Sequence, residues 1–254
     1  MRYPLGNTLA VAVLIALIIA WFTSLILSLR DVPVQTGRGW FARILPVFTL
    51  LGIPAAIDLL QTGGLTSVFA VIVFIVFVLN ILIPILRMTG RSGHPLVNQW
   101  EKWSIPISVI GGLAVAGYLT FIESTGTQVM CGPLGGCQEV QSSKYAILFG
   151  VLPVGLLGFV GYLAILAGWI VWQFGPQTAK KLAVLSIWGM CIFGVLFSIY
   201  LTFLEPFVIG ATCMWCISSA VLMIILLLVS TPAAQQALSI EDDQESSSQL
   251  ELSE

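Results

Sequence analysis

YLTFIE at residues 118–123 recurs as YLTFLE at residues 200–205, and each copy is followed after the same gap by a cysteine, Cys131 or Cys213. Each copy closes a long apolar segment, so the two cysteines follow equivalent helix ends. This is the pattern of a duplicated helical hairpin, and it predicts a four-helix bundle over residues 104–230. An interfacial aromatic belt would explain the tyrosines but not the matched spacing.

The composition places this bundle in a lipid bilayer. Hydrophobic residues make up 58% of the 254 residues and charged residues only 9%, too little polar surface for a soluble globule. Continuous apolar runs of about 20 residues favour spanning helices over a β-barrel. They lie near 8–29, 41–60, 65–87, 104–124, 150–173, 182–206 and 213–230. We therefore predict an all-α integral membrane protein, with about three additional transmembrane helices before the bundle.

Three regions follow from this reading. Residues 1–95 form an N-terminal membrane extension, residues 96–232 the four-helix catalytic domain, and residues 233–254 an acidic tail that we expect to be disordered. The first apolar run is long for a signal peptide, so we expect it to be retained. The second run contains Pro46, Pro54 and Asp58, and is expected to be short, kinked or interfacial.

The basic residues predict an orientation. Most of the ten lysines and arginines fall on one side of the predicted spans, which leaves Arg2 and Lys144 on the other. This places a multi-pass protein in the plasma or inner membrane with both cysteine pairs at the extracytoplasmic face, where disulfides persist. If the second run does not span, the amino terminus moves inside and the cysteine-bearing half keeps its orientation. No basic stripe indicates nucleic-acid binding.

The cysteine pairs indicate thiol chemistry. CMWC at residues 213–216 opens an apolar helix, where free backbone N–H groups stabilise a thiolate. We expect Cys213 to be the exposed, reactive sulfur and Cys216 to lie one turn deeper, beside a membrane-soluble acceptor. CGPLGGC at residues 131–137 predicts a flexible loop. A mobile pair and a fixed pair make a two-stage exchange relay, whereas Cys191, in mid-span, reads as a packing residue.

The two pairs and the residues between them resemble the vitamin K epoxide reductase family, especially its bacterial members, over about residues 104–230. Those intervening matches are SSKYA at 142–146, Phe149-Gly150, Pro153 and Gly158. The resemblance implies that all four cysteines are catalytic. Cys131 would take electrons from a thioredoxin-like partner with a CxxC motif, Cys137 would bridge transiently to Cys213, and Cys216 would adjoin a quinone, either ubiquinone or menaquinone.

The same resemblance implies a quinone pocket formed by Cys216, Ser142, Ser143, Phe149 and Tyr162. Vertebrate members carry a tyrosine and an asparagine where this chain has Ala220 and Val154, so epoxide reduction is not expected. Glu123 and Glu205, which end the repeated motifs, read as solvated carboxylates at the membrane interface.

The leading hypothesis is a quinone-dependent thiol-disulfide oxidoreductase that reoxidises its thioredoxin-like partner for extracytoplasmic disulfide bond formation. Three alternatives remain open at this point. The chain could be an outward thiol-reducing relay, which needs cysteines at both faces. It could be a metal-binding membrane protein that uses its thiolates, although no metal ligand set is predicted and His94 stands alone. It could also be a structural subunit with inert cystines.

Overall fold

The structure, a computed structural model, describes residues 3–29, 44–61, 64–88, 100–148 and 151–252. Its longer helices are α1 (Pro4–Leu29), α2 (Ile53–Leu60), α3 (Gly64–Met88), α4 (Trp100–Thr125), α6 (Val154–Phe174), α7 (Gln177–Leu204) and α8 (Met214–Leu252). A short helix, α5 (Cys137–Gln141), and an antiparallel pair of two-residue strands, β1 (Ile147–Leu148) and β2 (Leu152–Pro153), lie between α4 and α6. A π-helical turn, Glu205–Ile209, follows α7.

The bundle predicted from the repeat consists of α4, α6, α7 and α8. Helix α4 packs against α6 and α8, and α7 packs against the same two helices. Within the described ranges, five helices are long and apolar enough to cross a membrane: these four and α1. The prediction of an all-α, multi-pass membrane protein is confirmed.

The helices of the extension pack against the bundle. Helix α1 packs against α7 and α8, α2 against α3 and α8, and α3 against α4. The second apolar run is interrupted as its prolines predict, because helical residues from Ile44 give way to a turn at Leu51 and Gly52 before α2 begins. This run and the apolar part of α3, Thr66–Leu82, are shorter than the five spanning helices. The boundary between extension and catalytic domain stays a prediction.

Two polar contacts fix α1 along α8. Near one end of α1, Asn7 Oδ1 accepts a hydrogen bond from the Thr212 hydroxyl at 2.9 Å, just before α8 begins. Near the other end, the Ser24 and Thr231 hydroxyls lie 2.8 Å apart and are hydrogen-bonded, both fully buried. Buried hydroxyls of this kind are costly unless paired, so the contacts favour one register between the helices.

Helix α8 is the central helix. Its apolar window is 89% buried within the protein, compared with 17% for the window of α6. Most lipid contact therefore falls on the outer helices, and the CxxC segment at the start of α8 is set in protein.

The acidic tail differs from the expectation of disorder. Helix α8 continues through it to Leu252. The tail after Pro232 contains no further proline or glycine and is rich in alanine, glutamine, glutamate and leucine, all good helix formers. Continuation from an existing helix also avoids the cost of a new helix nucleus.

Candidate redox site

The outer cysteine pair is joined. Cys131 and Cys137 form a disulfide with their Cα atoms 5.8 Å apart. Cys137 is the first residue of α5 and is 1% exposed, whereas Cys131 is half-buried. Of the two sulfurs, Cys131 is therefore the one that an external thiol can approach.

The inner pair consists of two free thiols at the start of α8. The backbone N–H of Cys216 donates a hydrogen bond to Cys213 Sγ at 3.4 Å. Burial raises the pKa of the Cys213 thiol, but hydrogen bonds from the Cys216 thiol and from the backbone N–H groups of Cys216 and Trp215 outweigh this effect and lower the pKa below its ordinary value. The hydrogen bonds at the helix start therefore favour the thiolate form of Cys213, and the reactivity of this sulfur stays a prediction.

The expected exposure of Cys213 is wrong, because this side chain is 0% exposed. The segment that carries the outer pair lies over it. The N–H of Gly136 donates to the carbonyl oxygen of Thr212 at 2.9 Å, and the Trp215 indole N–H donates to the carbonyl oxygen of Met130 at 3.1 Å. Outside reagents reach the inner pair only if this loop moves, or through Cys216.

An apolar cavity of about 430 Å³ lies among the four bundle helices, with Cys216 on its wall. Its lining is almost entirely apolar and includes Met190, Phe193 and Met223 together with Gly155, Gly158 and Gly161. Polar groups come from Gln141 and from Tyr162, whose hydroxyl is hydrogen-bonded to Ser219 Oγ at 2.9 Å. Such a cavity suits a flat, lipophilic molecule with a few polar atoms.

The residues predicted to form a quinone pocket do not all line the same cavity. Cys216 and Tyr162 line the large cavity. Ser143 instead lines a small adjoining cavity of about 30 Å³, together with Cys216. Ser142 is exposed, and its hydroxyl donates to the carbonyl oxygen of Glu139 at 3.4 Å, within α5. Phe149 lies outside the described residues.

The two departures from the vertebrate pattern both fall on the cavity wall. Val154 and Ala220 line it, so the wall is apolar where vertebrate members carry asparagine and tyrosine. The expectation that an epoxide is not the substrate stays a prediction.

Sequence reasoning missed Glu205, which we expected to be solvated. Its side chain is 2% exposed, and Oε2 accepts the backbone N–H of Cys213 at 3.2 Å. The Cys216 thiol lies beside the same carboxylate, and both residues line the small adjoining cavity. The π-helical turn explains the burial, because it ends at Gly210 with φ of 76° and turns the chain back over Glu205. One signal in the sequence could have identified Glu205. This residue ends the repeated motif that precedes Cys213, as Glu123 ends the motif that precedes Cys131.

The equivalent residue of the first repeat, Glu123, is only half-buried and touches neither thiol directly. Its Oε1 accepts the backbone N–H of Gly155 at 3.3 Å, where α6 begins. Its Oε2 is buried and has no hydrogen-bond partner among the residues that the structure describes. The duplicated carboxylates therefore have different surroundings, and only Glu205 contacts the inner cysteine pair.

The structure also bears on the metal-binding reading and on Cys191. In the described ranges, no group of three or more histidine, cysteine, aspartate or glutamate side chains is placed to hold a metal ion. Cys191 is 0% exposed and lies within the hydrophobic core, away from the disulfide loop.

Comparison with known proteins agrees with this geometry. A model described as the vitamin K epoxide reductase family matches residues 102–231. The thiol-disulfide oxidoreductase LTO1 of Arabidopsis thaliana is 32% identical over 113 residues, which cover 41% of this chain and 29% of that protein, so the chain spans less than a third of this relative's length. No solved structure gives a significant match. Because the family match takes in both cysteine pairs and more than half of the 254 residues, this chain belongs to the vitamin K epoxide reductase family.

Proposed function

We propose that this protein is a quinone-dependent thiol-disulfide oxidoreductase that reoxidises a thioredoxin-like partner for disulfide bond formation outside the cytoplasm. One observation carries the proposal: Cys216 is in contact with Cys213 and also lies on the wall of the apolar cavity. A sulfur in this position can pass electrons from aqueous thiols to a lipophilic acceptor.

The cavity fits a quinone by size and by chemistry. Its volume of about 430 Å³ falls within the range of roughly 300–1,000 Å³ that is usual for small-molecule sites. The narrow surface formed by Gly158 and Gly161 leaves room for a ring, and the Tyr162 and Gln141 side chains supply polar atoms. When bound, a quinone accepts two electrons and two protons.

The cysteines would act in four thiol-disulfide exchanges that balance. A donor thiolate attacks Cys131, which breaks the loop disulfide and frees Cys137 as a thiolate; the second donor thiol then closes the donor disulfide and releases Cys131. Cys137 attacks Cys213 of an oxidised inner pair and frees Cys216. Cys131 finally attacks Cys137, which restores the loop disulfide and leaves the inner pair as two thiols.

At the end of this sequence the outer pair is a disulfide and the inner pair is two thiols. The inner dithiol would then lose two electrons and two protons to the acceptor as it closes to a disulfide. Glu205, which lies beside Cys216 on the wall of the small cavity, is placed to take one of these protons. The lowered pKa of Cys213 supplies the thiolate that closes the disulfide.

The placement of both pairs at one end of the bundle favours this function over a relay that carries electrons between the two membrane faces. The predicted orientation adds that this end faces the extracytoplasmic side, because most basic residues lie opposite. Labelling of intact cells with an impermeant thiol reagent, after mild reduction, tests that orientation. Reaction from the cytoplasmic side alone would contradict it.

The function is tested with purified full-length protein, a ubiquinone or menaquinone analogue and a reduced thioredoxin-like donor. The wild type should convert donor dithiol and quinone to donor disulfide and quinol in equal amounts. Cys216→Ala should abolish the reaction, while Cys191→Ala, which replaces a cysteine outside both pairs, should retain it. Full activity of Cys216→Ala would end the proposal.

A further inference from the structure

Asp58 of the N-terminal extension contacts the loop that carries the outer disulfide. Its side chain is 0% exposed, and Oδ1 accepts the backbone N–H of Leu134 at 2.9 Å. The backbone of Gly132 faces the same carboxylate. Asp58 lies on α2, outside the residues 102–231 that match the family, so this contact joins the extension to the family region.

The loop approaches α2 so closely at residue 132 that only glycine fits there. A Cβ atom at Gly132 would collide with the backbone oxygen of Asp58 and would come within 2.5 Å of its Oδ1. The middle of the loop therefore lies directly on α2.

The middle of the loop also packs on Gly6 of α1 and on Met214, but its other hydrogen bonds to the rest of the protein lie at its two ends. At the start, the N–H of Met130 donates to the Tyr118 hydroxyl at 3.2 Å. At the other end, Gly136 is bonded to Thr212. A segment with three glycines loses much conformational freedom when it is ordered, so a further anchor at its centre changes how often it is docked.

Asp58 would lose its hydrogen bond to Leu134 if the loop moved away. A buried carboxylate without hydrogen bonds is strongly penalised, and its Oδ2 already has no hydrogen-bond partner among the described residues. Movement of the loop toward a partner protein would remove the Leu134 bond as well. The penalty favours return of the loop to its position over the inner pair.

We propose that Asp58 is a positioning residue that docks the Cys131–Cys137 loop above the CxxC pair, so that the extension controls electron exchange between the two pairs. This inference rests on the proposed function for its exchange step, although the docking contact does not.

The test uses full-length protein in lipid nanodiscs and compares Asp58→Ala, Asp58→Asn and wild type. Thr49→Val is the matched control, since Thr49 is also buried in the extension but its hydroxyl bonds only to the Leu45 carbonyl of its own helix. Hydrogen exchange of the loop amides measures docking. Quinone reduction from the thioredoxin-like donor measures transfer through the loop. Quinone reduction from dithiothreitol in a Cys131→Ser/Cys137→Ser background measures the inner pair alone.

We expect Asp58→Ala to lower loop protection and donor-driven turnover by about tenfold each, the usual effect of losing a hydrogen bond to a charged group. The dithiothreitol reaction should not fall, because a less firmly docked loop leaves Cys213 more accessible. Asp58→Asn keeps an oxygen for the Leu134 N–H and should recover most of both losses, and Thr49→Val should resemble wild type. If Asp58→Ala does not fold, Gly132→Ala should give the same pattern by displacing the loop.

Unchanged loop protection in Asp58→Ala would overturn the proposal, as would lost protection with unchanged donor-driven turnover. An equal loss in the dithiothreitol reaction would also overturn it, because the effect would then be general support of the fold. A wild type that reduces no quinone with either donor would instead refute the proposed function, and the hydrogen-exchange comparison would still decide whether Asp58 docks the loop.

Discussion

Replacement of Glu205 by glutamine separates proton removal from thiol exchange. The carboxylate is almost fully buried, accepts the N–H of Cys213 at 3.2 Å and lies beside the Cys216 thiol. Glutamine keeps an oxygen for the N–H, so folding stability should fall by only about 1 kcal/mol. It cannot take a proton. Loss of a positioned general base typically slows a reaction by about 10²-fold or more, which corresponds to about 2.7 kcal/mol of activation free energy.

The assay is a single turnover. Protein with a reduced inner pair is mixed with a quinone analogue, quenched in acid and alkylated, and closure of the Cys213–Cys216 disulfide is followed by mass. Glu205→Gln should close about 10²-fold more slowly than wild type, while transfer from the loop to an oxidised inner pair should be much less affected.

Glu123→Gln is the matched control for this prediction. It changes the equivalent residue of the repeat, which bonds to Gly155 and to neither thiol, so we expect a much smaller loss. Equal rates for Glu205→Gln and wild type would refute the assignment of Glu205 as the proton acceptor. Equal losses in the two variants would show that the slower closure comes from the general electrostatics of the site and not from proton transfer to Glu205.

Three further predictions concern the thiols and the cavity. Cys216→Ala removes a hydrogen-bond donor to Cys213, so the pKa of Cys213 should rise and the pH profile of its alkylation, measured in a Cys131→Ser/Cys137→Ser background, should move to higher pH; an unchanged profile would contradict the cited cause. A Cβ at Gly161 has no heavy atom within 4 Å, so Gly161→Phe should enter the cavity and raise the KM for quinone about tenfold, without slowing reduction of the loop disulfide by the donor; an unchanged KM would place the acceptor elsewhere. Cys191→Ala should lower the free energy of unfolding by about 1 kcal/mol, measured by denaturation, with activity intact; lost activity in a folded protein would give this thiol a redox role.

The four-helix bundle could be predicted because its sequence carries regular apolar runs and a repeated motif. The apolar runs and the duplicated motif need no knowledge of distant contacts, and they give the helices and the equivalent positions of Cys131 and Cys213. The prolines of the second run likewise predict its break, since proline removes a backbone donor and clashes with the preceding turn.

The surroundings of the site could not be predicted in this way. The burial of Cys213 depends on a loop that folds back over it, and the burial of Glu205 depends on a π-helical turn, neither of which has a periodic signature. The bond from Leu134 to Asp58 joins residues far apart in the chain. Such contacts are set by how the extension packs on the bundle, which the spacing of apolar residues does not specify.

The buried polar contacts between α1 and α8 matter for any attempt to transfer the family region to another protein. Cutting the chain before α4 would remove Ser24 and expose part of α8 to hydrocarbon, where the Thr231 hydroxyl keeps only its bond to the Leu227 carbonyl of its own helix. Chimeras that graft the family region onto a foreign carrier should therefore include α1, or supply another helix with a serine at the same depth.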